Sequence, residues 1–130
     1  MRLLLDTHTF IWFAFNAKEL PVATRELLED AASEVYFSHA SVWEMAIKVS
    51  IGKLSFSQKV VDFVSAQVQK DDIQLLPIEL SHIALVESLS LHHRDPFDRL
   101  LIAQAQAENL ILVSVDAAFD LYGINRLWLT

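Results

Sequence analysis

Four acidic residues, spread over the whole chain, are the side chains best suited to do chemistry in this sequence. They are Asp6, Glu44, Asp98 and Asp116. Each also has an ordinary explanation: a turn at Asp6, a solvated helix position for Glu44, a helix cap at Asp116. Carboxylates that face one cleft repel one another unless a cation holds them together. Mg²⁺ is the natural ion for such oxygen ligands, and Mn²⁺ accepts the same ones.

Asp98 belongs to a stretch, residues 92–105, that begins polar and continues as an apolar helix. Asp95 is predicted to cap this helix, Pro96 suits its first turn, and Asp98 follows three residues after the cap. The apolar residues beyond them predict a buried helix, which would hold the Asp98 carboxylate in a fixed place. The two acids could equally serve only the free amides and the dipole of the helix N-terminus.

The elements that must position these acids alternate between strands and helices. Strands are predicted at residues 2–5, 35–38, 73–77, 110–114 and 126–129. Helices are predicted at residues 21–32, at 39–51 with Gly52 as C-cap, after a Ser57 cap, from a Ser81 cap to Leu89, and after Asp95. This alternation predicts an α/β domain with a mainly parallel sheet covered on both faces. Asp6 and Asp116 would then lie at the carboxyl ends of strands, where such sheets bind ligands.

Composition narrows the class of protein. The 130 residues suit a single domain, and the 53% of apolar residues argue against disorder. No cysteine is present, and no run of residues has the composition of a signal peptide or a membrane span, so we expect a cytoplasmic protein. The net charge of −7 has the wrong sign for holding nucleic acid by bulk electrostatics and favours a basic protein partner.

Five segments together resemble one known family. They are LLDTH (4–8), SHASVWEMAIK (38–48), GKL (52–54), HHRDPFDRLLIAQA (92–105) and VSVDAAF (113–119). In their order and spacing the chain resembles the PIN-domain ribonucleases of the VapC-type toxin class. The resemblance implies one PIN domain over residues 1–130, a three-layer α/β/α fold with a mainly parallel sheet of about five strands.

The same resemblance implies a function. The acidic positions of the family fall on Asp6, Glu44, Asp98 and Asp116, which would be catalytic and would bind Mg²⁺ or Mn²⁺. Ser114 matches a hydroxyl position that assists the site. Family members cleave single-stranded or loop RNA to 5′-phosphate and 3′-hydroxyl ends, pair with a basic antitoxin protein and form homodimers. We found no basic counterpart near the four carboxylates in the sequence and therefore expected metal-dependent activity.

Several residues keep more than one interpretation. Asp95 is a cap with a supporting role in the site. Arg94 and Arg99 are candidates for contacts with RNA phosphates, although Arg99 could pair equally well with a neighbouring acid. His92 and His93 suit a surface or capping role better than a zinc site, because adjacent histidines rarely face one metal.

Other functions were weighed against the nuclease. A phosphatase of the haloacid-dehalogenase type wants a second Asp where His8 stands, and a P-loop is absent from the sequence. A PIN nuclease in RNA processing and a non-catalytic PIN binding module remain as alternatives. The aromatic stretch 10–15 is predicted to form a helical turn that is mostly core, with some side chains exposed for a partner.

Overall fold

Helices and strands alternate along the chain in the computed structural model, which describes residues 1–92 and 95–130. In chain order the elements are β1 (Arg2–Leu5), α1 (Thr7–Ala14), α2 (Val22–Glu29), β2 (Glu34–Ser38), α3 (His39–Ser50), α4 (Val60–Lys70), β3 (Gln74–Leu76), α5 (Leu80–Ser88), α6 (Pro96–Glu108), β4 (Ile111–Val113), a 3₁₀ helix (Ala117–Tyr122) and β5 (Arg126–Leu127). The strands form a five-stranded sheet in the order β3-β2-β1-β4-β5, and all four pairings are parallel. The predicted α/β class is confirmed.

The sheet is buried on both faces, as the continuous apolar character of its central strands requires. Successive strand residues point to opposite faces, so Leu3 and Leu5 pack into one core while Leu4 packs into the other. Residues of α1 to α4 fill the first core, and residues of α6 and the 3₁₀ helix fill the second. This arrangement confirms the predicted three-layer α/β/α fold.

The aromatic stretch after β1 forms more helix than the single turn predicted. It is part of α1, where Phe10 and Phe13 are buried and Phe15 is exposed. Phe10 stacks on Phe37 of β2 with ring centroids 3.8 Å apart, and Phe15 stacks on Phe63 of α4 at 5.4 Å. The stretch therefore serves mainly as the bridge between α1 and the rest of the first core.

Three predicted helix ends were wrong. The helix that follows Pro21 ends at Glu29 rather than near residue 32, because Asp30 adopts an extended backbone. Ser57 does not cap α4, which begins at Val60. Ser81 lies inside α5, whose cap is Glu79.

Glu79 caps α5 through a reciprocal pair of bonds with His82. The Glu79 carboxylate accepts from the backbone N–H of His82, and the His82 ring accepts from the backbone N–H of Glu79. Histidine rarely fills the second place of such a box, where Glu or Gln is usual. That unusual choice explains why the helix start was misplaced.

Candidate active site

The sheet order reverses direction at β1, which lies between β2 and β4. From β1 the chain continues to β2 on one side of the sheet, and from β4 it continues to β5 on the other, so a crevice opens at the carboxyl ends of β1 and β4. Two hydrogen bonds join the ends of these strands: the Asp6 backbone N–H and the Thr9 hydroxyl both donate to the Val113 carbonyl, at 3.2 and 3.1 Å. Asp6 is thereby fixed at the crevice.

A cavity of about 190 Å³ occupies this crevice, and we call it the acidic cavity. Its lining residues are Asp6, Thr7, His8, Glu44, Lys48, Asp95, Asp98, Val115, Asp116 and Phe119. The fold thus brings together all four acids selected from the sequence, along with Asp95. Among the described lining residues, Lys48 is the one lysine or arginine.

Three of the carboxylates are held by helix N-termini. Asp6 Oδ1 accepts from the Thr9 backbone N–H at 2.8 Å, and Asp116 Oδ1 accepts from that of Ala118 at 3.0 Å. Asp95 Oδ1 accepts from the first turn of α6, at 2.8 Å from Phe97 N and 3.1 Å from Asp98 N. The capping and functional interpretations are compatible here, because a cap that uses one oxygen also fixes the direction of the other.

Ser114 supports the Asp116 loop. Its side chain is fully buried, and its Oγ accepts a hydrogen bond of 3.1 Å from the Asp116 backbone N–H. The hydroxyl therefore acts on the position of Asp116. Its role in assisting the site stays a prediction.

Glu44 is buried and fully engaged, so the solvated alternative was wrong. Its Oε1 accepts from the Thr7 hydroxyl at 2.6 Å, and its Oε2 lies 2.9 Å from Lys48 Nζ. The expectation of no nearby basic counterpart was also wrong: Lys48 follows Glu44 by four residues, the spacing at which helical side chains meet. That spacing is visible in the sequence. Lys48 and Thr7 line the cavity but are not among the site residues predicted from the sequence.

The other acids of the cavity affect the pKa of Asp98, which is also partly buried. Burial, followed by the charges of Asp95, Glu44, Asp6 and Asp116, raises the pKa of Asp98 from 3.8 to about 7. A carboxyl group whose pKa is raised by burial and by neighbouring negative charges is one that a cation would stabilise in its ionised form. The acidic cavity therefore favours a bound cation.

The donor set fits a hydrated divalent ion. No group of three His, Asp or Glu side chains within residues 1–92 and 95–130 already meets as a ligand set. Mg²⁺ does not need one, because it keeps several waters and is held by one or two carboxylates together with substrate phosphate. An open cavity lined by carboxylates suits such an ion better than a dedicated protein cage would.

The arginine and histidine candidates have different outcomes. The guanidinium of Arg99 donates to the carbonyls of Val86, Leu89 and Ser90 at 3.1 to 3.4 Å, which fixes the end of α5 to α6. Neither of the predicted interpretations of Arg99, a contact with RNA phosphate or a pair with a neighbouring acid, included this anchoring role. His92 lies on the surface with its ring against Tyr122. The proposals for Arg94 and His93 lie outside the described residues.

A second polar cluster, which we call the Gln104 network, lies deep between α3, α5 and α6. The Ser38 hydroxyl donates to Gln104 Oε1 at 2.5 Å, and Gln104 Nε2 donates to the Pro77 carbonyl at 3.2 Å. His82 Nε2 lies 3.0 Å from Glu108 Oε1. Because His82 Nδ1 accepts from the Glu79 N–H, its proton resides on Nε2 and is donated to Glu108.

The family follows from comparison with known proteins. A model described as the PIN domain matches residues 3–125. The chain belongs to the PIN domain family. Among curated proteins, none matches the chain. The predicted PIN fold is confirmed by this match and by the sheet order.

Several solved structures share the fold of this PIN domain. VapBC2 from Rickettsia felis, bound to a promoter DNA fragment, aligns at a TM-score of 0.74 and 15% identity, over 98% of this chain and 99% of that chain. DNA-bound VapBC from Salmonella typhimurium gives 0.70 and 14%, over 98% and 97%. FitAcB from Neisseria gonorrhoeae gives 0.60 and 21%, over 96% of both chains. At such identities the likeness concerns the fold.

The sequence predicts no membrane span, and the helices of the structure bear on this point. Within the part of the chain that the structure describes, no helix combines the length and the hydropathy needed to cross a bilayer.

Proposed function

We propose that this chain, as a single PIN domain, is a Mg²⁺- or Mn²⁺-dependent endoribonuclease that cleaves single-stranded or loop RNA and acts as the toxin of a toxin–antitoxin pair. One observation carries the proposal. Five carboxylates line a cavity of about 190 Å³ at the point where the sheet order reverses, and burial, followed by the charges of the other four acids, raises the pKa of Asp98 to about 7. Such a site is built for cations and for the phosphates that accompany them.

The four acids Asp6, Glu44, Asp98 and Asp116 would hold the metal. A divalent ion bound there supplies an activated water and neutralises negative charge on the phosphoryl oxygens. No nucleophilic side chain is required for this hydrolysis, and the expected products carry 5′-phosphate and 3′-hydroxyl ends.

Other residues of the chain position these acids. The Thr7 hydroxyl fixes one oxygen of Glu44, and Ser114 fixes the backbone of Asp116. Lys48 pairs with the other oxygen of Glu44 and places a positive charge at the wall of the cavity. In this position its ammonium can also turn toward a substrate phosphate, which is a stronger hydrogen-bond acceptor than water.

The toxin role rests on fold and charge. The fold neighbours come from structures described as VapBC and FitAcB complexes. A chain with a net charge of −7 suits a basic antitoxin, whose Arg or Lys could pair with the acidic cavity in place of the metal. We also propose that the chain forms a homodimer and that it acts in the cytoplasm.

The test of activity is sequencing of the RNA ends that the purified protein produces with Mg²⁺. Asp6→Asn is the inactive variant, and Asp62→Asn, an exposed acid on α4, is the matched control. We expect wild type and Asp62→Asn to cut RNA alike, and Asp6→Asn or added EDTA to stop the cutting. Undiminished cleavage in EDTA would contradict the metal dependence.

The test of biological role is co-expression with the neighbouring reading frame. We expect the protein alone to slow growth and a small basic partner to relieve the effect and to co-purify. Normal growth and no captured partner, in a protein that still cleaves RNA, would point to a nuclease of RNA processing. RNA binding without cleavage would point to a binding module.

A further inference from the structure

A second cavity adjoins the acidic cavity, and we call it the Trp12 cavity. It has a volume of about 440 Å³, and its lining residues are Thr7, His8, Ile11, Trp12, Lys48, Lys53 and Leu54. It shares Thr7, His8 and Lys48 with the acidic cavity. Its volume is in the range of ligand pockets, about 300 to 1,000 Å³. A ligand could therefore extend from the acids into this cavity.

One wall of the Trp12 cavity is a face of α1. Residues 7, 8, 11 and 12 have the helical spacing that places them on one side. The ring centroids of His8 and Trp12 lie 5.8 Å apart, and those of Trp12 and Trp128 lie 6.1 Å apart in an edge-to-face arrangement. The indole at the cavity wall is thereby in contact with two other rings.

Two lysines, Lys48 and Lys53, also line the Trp12 cavity, and the end of α3 brings them together. Gly52 has a φ of +76°, which lets the chain turn back after the helix. The backbone N–H of Lys53 then donates to the Lys48 carbonyl at 2.9 Å. Both lysines therefore line the Trp12 cavity, in a chain whose net charge is −7. A cationic rim here opposes the overall charge of the protein.

Aromatic rings beside lysines are the combination that binds single-stranded nucleic acid, because bases stack on the rings while cations contact the backbone. We propose that the Trp12 cavity binds the RNA nucleotide next to the cleaved bond, with the base against Trp12 and His8 and a flanking phosphate at Lys53. The inference rests on the proposed nuclease function and adds a substrate-binding subsite to it. A basic peptide is the less suitable occupant, since Lys53 would repel it and the Lys48 charge is already paired with Glu44.

The experiment measures binding of a fluorescein-labelled, mixed-sequence single-stranded RNA 12-mer by fluorescence anisotropy. Ca²⁺ replaces Mg²⁺ to neutralise the acidic cavity, and the salt concentration is varied. We expect Lys53→Gln to weaken binding about fivefold and to reduce the salt slope by about one. Lys70→Gln, at the far end of α4, is the matched control and should bind as wild type does.

The aromatic part has its own variants. Trp12→Leu should weaken RNA binding about tenfold with an unchanged salt slope, because it removes a stacking surface and no charge. Trp12→Phe keeps an aromatic face and should recover most of the affinity. Thermal melts of both variants control for folding, and the Trp12→Phe result remains decisive if Trp12→Leu is unstable.

Three outcomes would overturn the subsite: no RNA binding by wild type, wild-type affinity in both Lys53→Gln and Trp12→Leu, or weakened binding of an Arg-rich 12-residue peptide by Trp12→Leu with RNA binding intact. Cleavage of the same RNA with Mg²⁺ separates the two proposals. If RNA is cut while the variants bind normally, the nuclease stands and the subsite fails. If RNA binds through Trp12 but is never cut, the nuclease fails and the subsite stands.

Discussion

The acidic cavity and the Gln104 network are both polar clusters at the edge of the sheet. They differ in how fully hydrogen bonds and opposite charges satisfy their polar atoms. In the Gln104 network, Gln104 and His82 are fully buried, and both ends of the amide and both ring nitrogens have partners. In the acidic cavity, five carboxylates share the space with Lys48. Asp98 is left with a pKa of about 7.

The contrast separates a structural polar cluster from a functional one. A fully satisfied network stabilises one arrangement of helices and has no capacity left for a ligand. A cluster with surplus charge destabilises the protein locally, which is typical of a site that a ligand or ion completes. The predictions below change one cluster at a time, with the other as its reference.

The largest effect is expected from neutralising the acids of the cavity. Asp98→Asn and Glu44→Gln should each lower RNA cleavage at least a hundredfold, because the metal loses a charged ligand. Asp98→Asn should melt at or above the wild-type temperature in EDTA, since repulsion is relieved, whereas Glu44→Gln should remain folded but gain no stability because it weakens the ion pair with Lys48. Cleavage rates with Mg²⁺ and melts without it are the two measurements. A variant that lost activity only because it unfolded would contradict this prediction.

The Gln104 network should respond in stability. Gln104→Leu leaves the Ser38 hydroxyl and the Pro77 carbonyl without their partner, and we expect a loss of about 2 to 3 kcal/mol in the free energy of unfolding. Urea unfolding measures the loss. Gln106→Leu, at an exposed position of the same helix, is the control and should change stability little. Equal losses in both variants would show that the buried bonds contribute nothing specific.

A pH dependence follows from Asp98. Its pKa is 3.8 ordinarily and about 7 in the folded, metal-free protein, so between these values the folded state binds the extra proton. Stability from this group therefore falls as the pH rises from about 4 to 7 and is lowest above pH 7. In EDTA, the melting temperature of Asp98→Asn should rise relative to that of the wild type between pH 5 and pH 8. A constant difference would contradict the raised pKa.

The smallest effect is expected at Asp95. Asp95→Asn should keep cleavage within about threefold of wild type, because Asn caps a helix nearly as well as Asp. It should also lower the pKa of Asp98, since Asp95 is the largest charge acting on it. If Asp95→Asn were as inactive as Asp98→Asn, the roles of the two acids would be reversed.

Local patterns in the sequence were enough to predict the strands, the parallel sheet and the four acids. Asp6 and Asp116 follow apolar strands, and the Asp95–Pro96 pair marks the start of α6, so their places depend on neighbouring residues only. The family resemblance added the roles of these acids. Helix ends at Ser57 and Ser81 were misplaced because a serine offers a cap without enforcing it.

The Gln104 network could not be predicted in this way. Its bonds between different elements join residues 26 to 66 positions apart, so no local sequence pattern connects Gln104 or His82 with its partners. Only the packing of α5 and α6 over the end of β2 buries them. The Glu44–Lys48 pair, by contrast, could be predicted from the sequence, because the two residues are four positions apart on one helix.

The central position of β1 has a consequence for the order of synthesis. Asp6 precedes β4 in the chain, yet its backbone N–H is bonded to the Val113 carbonyl of that strand, and Asp116 comes later still. Pairing of β1 with β4 closes a loop of more than a hundred residues, which is a slow step in folding. A growing chain therefore lacks a complete acidic cavity until both β4 and Asp116 have been synthesised.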